Sequence, residues 1–126
     1  MNIQKFEIKP KYKKENGLYV IDIDSIKIPF KVRERSVIYI PPNQFGGNHK
    51  HLRQEAFIGI GEGLELIWIQ NNKRNKEKMN SKGEIFLFIV PSYLGHAVVN
   101  NSKNESGILI EYASDFQKDV ESCKII

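Results

Sequence analysis

Short apolar runs at 36–40, 56–60, 64–69, 85–90 and 108–110, most of them stopped by glycine, proline or asparagine, limit this chain more than any other feature. Runs of this length are short for core helices and match strands covered on both faces. Short strands with turn signals between them predict an all-β sandwich or barrel, in which one face of every strand lines the interior. The other face needs a second layer. In a single domain of 126 residues, the expected cover is a partner subunit, which makes a homodimer the expected assembly.

Around these runs the pattern is weaker. Phe6 and Ile8 alternate with Lys5, Glu7 and Lys9, residues 10–17 read as a turn, and 18–23 as a second strand. Ile26, Ile28, Phe30 and Val32 alternate with Lys27, Pro29, Lys31 and Arg33, a half-exposed strand that Pro29 confines to a sheet edge or bulge. Glu62-Gly63 predicts a tight hairpin between 56–60 and 64–69. Residues 70–83 carry almost nothing to bury and read as a long, mobile hairpin loop. Helical potential is confined to 114–123, where Phe116 and Val120 are spaced for one helix face.

The chemistry concentrates in Gly46-Gly47-Asn48-His49-Lys50-His51-Leu52-Arg53-Gln54-Glu55. On an extended strand side chains alternate with period two, so His49, His51 and Glu55 would share a face. His96, the only other histidine, stands in Pro91-Ser92-Tyr93-Leu94-Gly95-His96-Ala97-Val98-Val99-Asn100, just after the run 85–90. Three neutral imidazoles and one carboxylate suit a divalent transition metal with positions left for water or substrate. The competing reading of a lone His-x-His is a satisfied surface strand.

These two stretches resemble the two cupin motifs. The first matches His-x-His, three residues, Glu, then a glycine turn; the second matches Pro-x-x-x-x-His-x-x-x-Asn. Gly61 and Gly63 straddle the usual place of the turn glycine, and Tyr93 stands where a glycine is usual two residues after the proline. Both departures touch loop shape and leave the ligands alone. The resemblance implies a double-stranded β-helix jelly-roll barrel holding one divalent transition metal (Mn, Fe, Ni or Zn) on His49, His51, Glu55 and His96.

Within the cupins, Arg35-Ser36-Val37-Ile38-Tyr39-Ile40 leading into the first motif, and the ending Ile108-Leu109-Ile110-Glu111-Tyr112-Ala113-Ser114, are most similar to small bacterial sugar-modifying members, nucleotide-sugar ketoisomerases and epimerases. That resemblance implies an isomerase or epimerase acting on a small polar substrate, with His49 and His51 as the catalytic pair. In the ketoisomerase subgroup the paired histidines shuttle protons without a metal, and Glu55 at the ligand position argues against copying that mechanism here. A non-catalytic sugar-binding module is the third reading.

Tyr93, Glu111 and Tyr112 are the candidate substrate contacts. Glu111 interrupts an apolar strand and reads either as a site carboxylate or as an outward-facing residue. Trp68 reads as core, and Asn100, which closes the second motif, as a turn residue or one that supports the ligands from behind. The net charge of +4 comes largely from Lys9-Lys11-Lys13-Lys14 and Lys73-Arg74-Lys76-Lys78-Lys82. Neither cluster is interleaved with aromatics, so solvated loops are expected rather than nucleic-acid binding, although an anionic small substrate would be drawn to such a surface. With no apolar stretch long enough for a membrane span and a single cysteine, Cys123, the expected setting is the cytoplasm.

Overall fold

The computed structural model describes residues 2–81 and 83–126, so Lys82 of the second basic cluster lies outside the described residues. The apolar runs all become strands, and the strands form two facing antiparallel sheets. One has the order β1 (Gln4–Glu7), β10 (Glu84–Val90), β6 (Glu55–Ile60), β12 (Gly107–Ala113), β4 (Glu34–Ile40), with β9 (Asn80–Ser81) paired to β10. The other has the order β13 (Glu121–Ser122), β5 (Phe45–Lys50), β11 (His96–Asn100), β7 (Leu64–Gln70), β8 (Lys73–Lys78). A small hairpin, β2 (Tyr12–Lys13) and β3 (Tyr19–Val20), stands apart.

The chain is all-β, with the alternation between sheets of a cupin-type double-stranded β-helix. The two sheets face each other without closing into a continuous barrel. Phe57, Phe88, Val90 and Leu109 of the first sheet meet Leu64, Leu66, Trp68 and Val98 of the second, and this core fixes their spacing. Trp68 is core, as its sequence context implies. Asn100 is buried too, its Nδ2 donating to the carbonyls of Ile40, Pro41 and Glu105, so it ties three chain segments together.

Several local expectations change. Glu62-Gly63 joins strands of different sheets, so it is a corner and no hairpin. Residues 70–81 are strand and turn: Asn71 and Asn72 both take positive φ (54° and 60°), the requirement of a two-residue type I′ turn, and they fold β8 back on β7. The lysines and arginine of β8 stand on an edge strand, where charge blocks further pairing, and Met79 beyond it is fully buried in the core. No α-helix forms at 114–123; the only helical piece among the described residues is a 3-10 turn at Ile23–Ser25.

The second layer also differs from expectation. Ile26, Ile28, Phe30 and Val32 are not a hydrogen-bonded strand. They form a strap packed on the outer face of the first sheet against Ala56, Ile58, Leu87 and Ile89. The C-terminal tail covers the other sheet, Ile125 and Cys123 resting on Ile67 and Ala97. The chain therefore supplies much of its own outer layer. The two most exposed large apolar side chains among the described residues lie on β4, Val37 at 73% and Tyr39 at 65%, on a strand that is the last in its sheet.

Candidate metal centre

His49, His51, Glu55 and His96 come together between the sheets, their ligand atoms all within 4.8 Å of one another. They do not converge by sharing a strand face. His49 lies on β5 in one sheet, Glu55 opens β6 in the other, and His51 sits in the corner between them. His96 pairs with His49 across β11 and β5, beside a register shift. There Gly47 adopts φ +103° and Asn48 φ 65°. A bulge of this kind turns the next side chain to a new direction, here His49 towards the cluster. A Cβ on Gly47 would stand 2.8 Å from Ala97 Cα and 2.9 Å from the His96 carbonyl oxygen, so the close approach of β5 and β11 needs glycine.

Backbone carbonyls fix the tautomers of two rings. His96 Nδ1–H donates to Leu94 O at 2.8 Å and His51 Nδ1–H to Arg53 O at 3.2 Å. A carbonyl can only accept, so in the neutral rings both Nε2 atoms carry bare lone pairs. Those atoms point at one oxygen: Glu55 Oε1 is 2.8 Å from His96 Nε2 and 3.1 Å from His51 Nε2. His51 Nε2 is buried and lacks a hydrogen-bond partner despite that proximity. Three lone pairs therefore meet with no proton between them in the neutral state, an arrangement that calls for a cation.

The donor set fits a transition metal. With metal–ligand bonds of about 2.1 Å, neighbouring ligands of an octahedral site stand roughly 3 Å apart. The 2.8 and 3.1 Å separations match that spacing. The cluster is deeply buried at Glu55, His51 and His96, while His49 is half-buried and forms its more open side.

Arg53, between the two motif ligands, was not singled out by the sequence. Its Nε and Nη2 both donate to Glu55 Oε2, at 3.1 and 2.8 Å; Nη2 also reaches Glu111 Oε1, and Nη1 reaches Glu34 Oε1 and the Asp115 carbonyl. It is 8% exposed. The available signal was its place inside the motif, but arginine at a loop position reads by default as surface.

Electrostatics separate the two inner carboxylates. Burial works to raise the pKa of Glu55, but hydrogen bonds from the His51 and His96 rings when they carry a proton on Nε2 override it and hold the group well below the usual carboxylate range. Glu111 goes the other way. Burial, then the charge of Glu55, push it up to about 8, so it carries a proton at neutral pH. The His49 pKa is lowered by burial and by the neighbouring His96 and His51, which keeps that ring neutral.

Of the three candidate substrate contacts, only Glu111 reaches the site. It lines a cavity of about 80 Å³ together with His49, Glu55 and His96. Tyr112, its neighbour on β12, must face the opposite way by strand alternation and packs with Ala56 and Ile58 on the outer face. Tyr93 is half-exposed at a turn, outside the cavity wall, where its φ of 61° does the work of the expected glycine and its N–H donates to His51 O.

No protein-family model matches the chain, and no curated protein matches its sequence. Solved structures do match. A sugar 3,4-ketoisomerase from Thermoanaerobacterium thermosaccharolyticum, in complex with TDP, superimposes with a TM-score of 0.73 at 16% identity over 96% of this chain and 88% of that one. A 3,4-ketoisomerase from Helicobacter canadensis gives 0.72 at 20% identity over 94% and 87%. The capsular polysaccharide assembling protein CapF from Staphylococcus aureus gives 0.64 at 19% identity over 79% of this chain, which spans only 28% of CapF. At these identities the likeness establishes the fold, and it agrees with the cupin architecture.

Proposed function

We propose that this protein is a metal-centred isomerase acting on a small polar substrate with adjacent hydroxyl and carbonyl groups, the feature that sugars and nucleotide sugars share with shorter compounds. The observation that carries the reading is the meeting of the His51 and His96 lone pairs with Glu55 Oε1, each ring held in its ligand tautomer by a backbone carbonyl. His49, His51, Glu55 and His96 would hold one divalent ion, of the Mn, Fe, Ni or Zn class. Such an ion supplies Lewis-acid polarisation of a substrate oxygen. Arg53 keeps Glu55 ionised and turned towards the histidines. Glu111 offers a proton-bearing carboxyl to a substrate oxygen in the same cavity.

The neighbours that are 3,4-ketoisomerases support the reaction type. We place the protein in the cytoplasm as a homodimer, the latter favoured by the exposed edge strand β4.

A second reading has its own observation. A proton can occupy the place of the metal, giving a His96 imidazolium bonded at both nitrogens, to Leu94 O and Glu55 Oε1, each at 2.8 Å. His49 and His51 then act as the acid and base. Elemental analysis of protein prepared without chelator or metal-affinity resin, alongside deuterium uptake from heavy water into a hydroxy-ketone substrate, separates the two. The metal reading expects about one equivalent of metal with exchange lost on its removal; exchange that persists in stripped protein favours the proton pair.

A further inference from the structure

The three histidines are not held equally. His51 and His96 each give their Nδ1–H to a backbone carbonyl, whereas the His49 ring has no hydrogen-bond partner among the described residues. Its place beside the other two rings, with centroids 5.0 Å from His51 and 5.4 Å from His96, therefore depends on how its backbone is held. That backbone follows two consecutive residues in the left-handed region, Gly47 and Asn48. Asparagine tolerates this region better than most residues, yet such a conformation persists only where the surroundings hold it.

The hold comes from residues 121–126. Glu121 and Ser122 pair as β13 with Lys50 and His49. Asn48 then accepts three N–H groups from the same segment: Cys123 N–H reaches its carbonyl oxygen at 3.0 Å, and those of Ile125 and Ile126 reach its Oδ1 at 3.0 and 2.9 Å. The Ile125 side chain is buried on Ile67 and Ala97. Cys123 and Ile125 also close over Gly95, the residue before His96, where a Cβ would stand 2.7 Å from Cys123 Sγ. One segment thus clasps the two backbone stretches that present His49 and His96.

This clasp is joined to the rest of the domain through residues 116–120, all of them exposed. A segment tethered in this way opens locally at a lower cost than global unfolding, so its docking is an equilibrium of its own.

We propose that Asn48 is a positioning residue for the metal centre, fastening residues 121–126 along β5 so that the His49 ring stays in the ligand cluster. The proposal rests on the metal-centred reading above and adds a control on that site. Docking of the segment and binding of the metal strengthen each other by the same factor, as linkage requires.

Three variants test it. Asn48→Gly keeps the left-handed backbone and removes Oδ1, Asn48→Asp keeps an acceptor in its place, and Ile125→Ala loosens the segment through its packing on Ile67 and Ala97. Nuclear Overhauser contacts among the three imidazole rings are measured in chelator-treated protein, zinc affinity by competition, and exchange of the Ile125 and Ile126 amides with and without zinc. Asn48→Gly and Ile125→Ala are expected to lose the contacts of the His49 ring, to keep the His51–His96 contact, and to bind zinc about tenfold more weakly or worse. Asn48→Asp is expected to retain both, and in wild type zinc is expected to slow exchange at the two amides.

A lower melting temperature with the His49 contacts and zinc affinity intact would overturn the proposal. So would Asn48→Asp failing as fully as Asn48→Gly, or bound zinc leaving the two amides unprotected. Should Asn48→Gly lose the His51–His96 contact as well, the fold itself has gone and Ile125→Ala decides. A wild type that takes up no zinc contradicts the metal reading alone, since the ring contacts are read without metal and still decide the role of Asn48.

Discussion

Arg53 grips a single oxygen of Glu55, its Nε at 3.1 Å and its Nη2 at 2.8 Å both ending on Oε2, and so leaves Oε1 turned to the histidines. A carboxylate held in this way cannot rotate to share its two oxygens evenly, and outer partners of metal ligands commonly tune affinity by this means. The same guanidinium also offsets the charge of Glu34, so its removal strands the buried Glu55 carboxylate and leaves Glu34 unpaired.

Arg53→Met is therefore expected to lower metal affinity about 10–100-fold and to destabilise the fold by about 3–5 kcal/mol. Arg53→Lys keeps the charge and loses the fork, and it should fall between wild type and Met. Competition titration against a chromophoric chelator reads the first effect, and urea denaturation the second.

Gly47→Ala tests the bulge. The added methyl meets Ala97 Cα at 2.8 Å and the His96 carbonyl at 2.9 Å, at a φ of +103° that alanine resists. Strain of this kind costs about 1–3 kcal/mol, and relief requires β5 to move, carrying His49 out of the cluster. We expect lower thermal stability together with weaker zinc binding, whereas Gly46→Ala next to it should change neither.

Much of the fold was legible because the apolar runs are themselves the strands, and the ligand types were legible because histidine is rare here. The route to convergence was not. Period-two parity placed His49, His51 and Glu55 on one strand, whereas the chain turns a corner at His51 and passes to the other sheet. Parity within one strand did hold for β12, where it separates Glu111 from Tyr112, but nothing local said which of the two faces inwards. The outer layers were hidden for a different reason: a strap such as 26–32 has strand-like alternation and no strand partner, so its pattern records burial and not hydrogen bonding. Residues 70–83 looked featureless because an edge strand carries charge on purpose, and only the Asn71-Asn72 pair marked the turn.

Glu111 makes a prediction about pH. In the folded chain it takes its proton at about 8, above the ordinary 4.5. Between those values the folded state holds a proton that the unfolded state has released, so this group's contribution to stability falls as pH rises across the window. Glu111→Gln removes that penalty. In metal-free protein, the stability of the variant relative to wild type should increase steadily across the same window, as followed by guanidinium denaturation at a series of pH values.

The bare edge of β4 predicts assembly through a second copy. Val37 and Tyr39 are largely exposed on the last strand of its sheet, where backbone groups are free to pair. Sedimentation velocity at micromolar concentration should show a dimer, and Val37→Glu with Tyr39→Glu should return it to monomer while preserving the circular dichroism spectrum.

The most direct test of the account is the metal stoichiometry of the His49, His51, Glu55 and His96 cluster. Protein purified without chelator or affinity resin is titrated with manganese, iron, nickel and zinc near neutral pH, and bound metal is measured by mass spectrometry. The account predicts about one equivalent of at least one of these ions, held well below millimolar, with most of it lost in His51→Ala and in Glu55→Gln. Failure of the wild type to take up any of the four at millimolar concentration would contradict it.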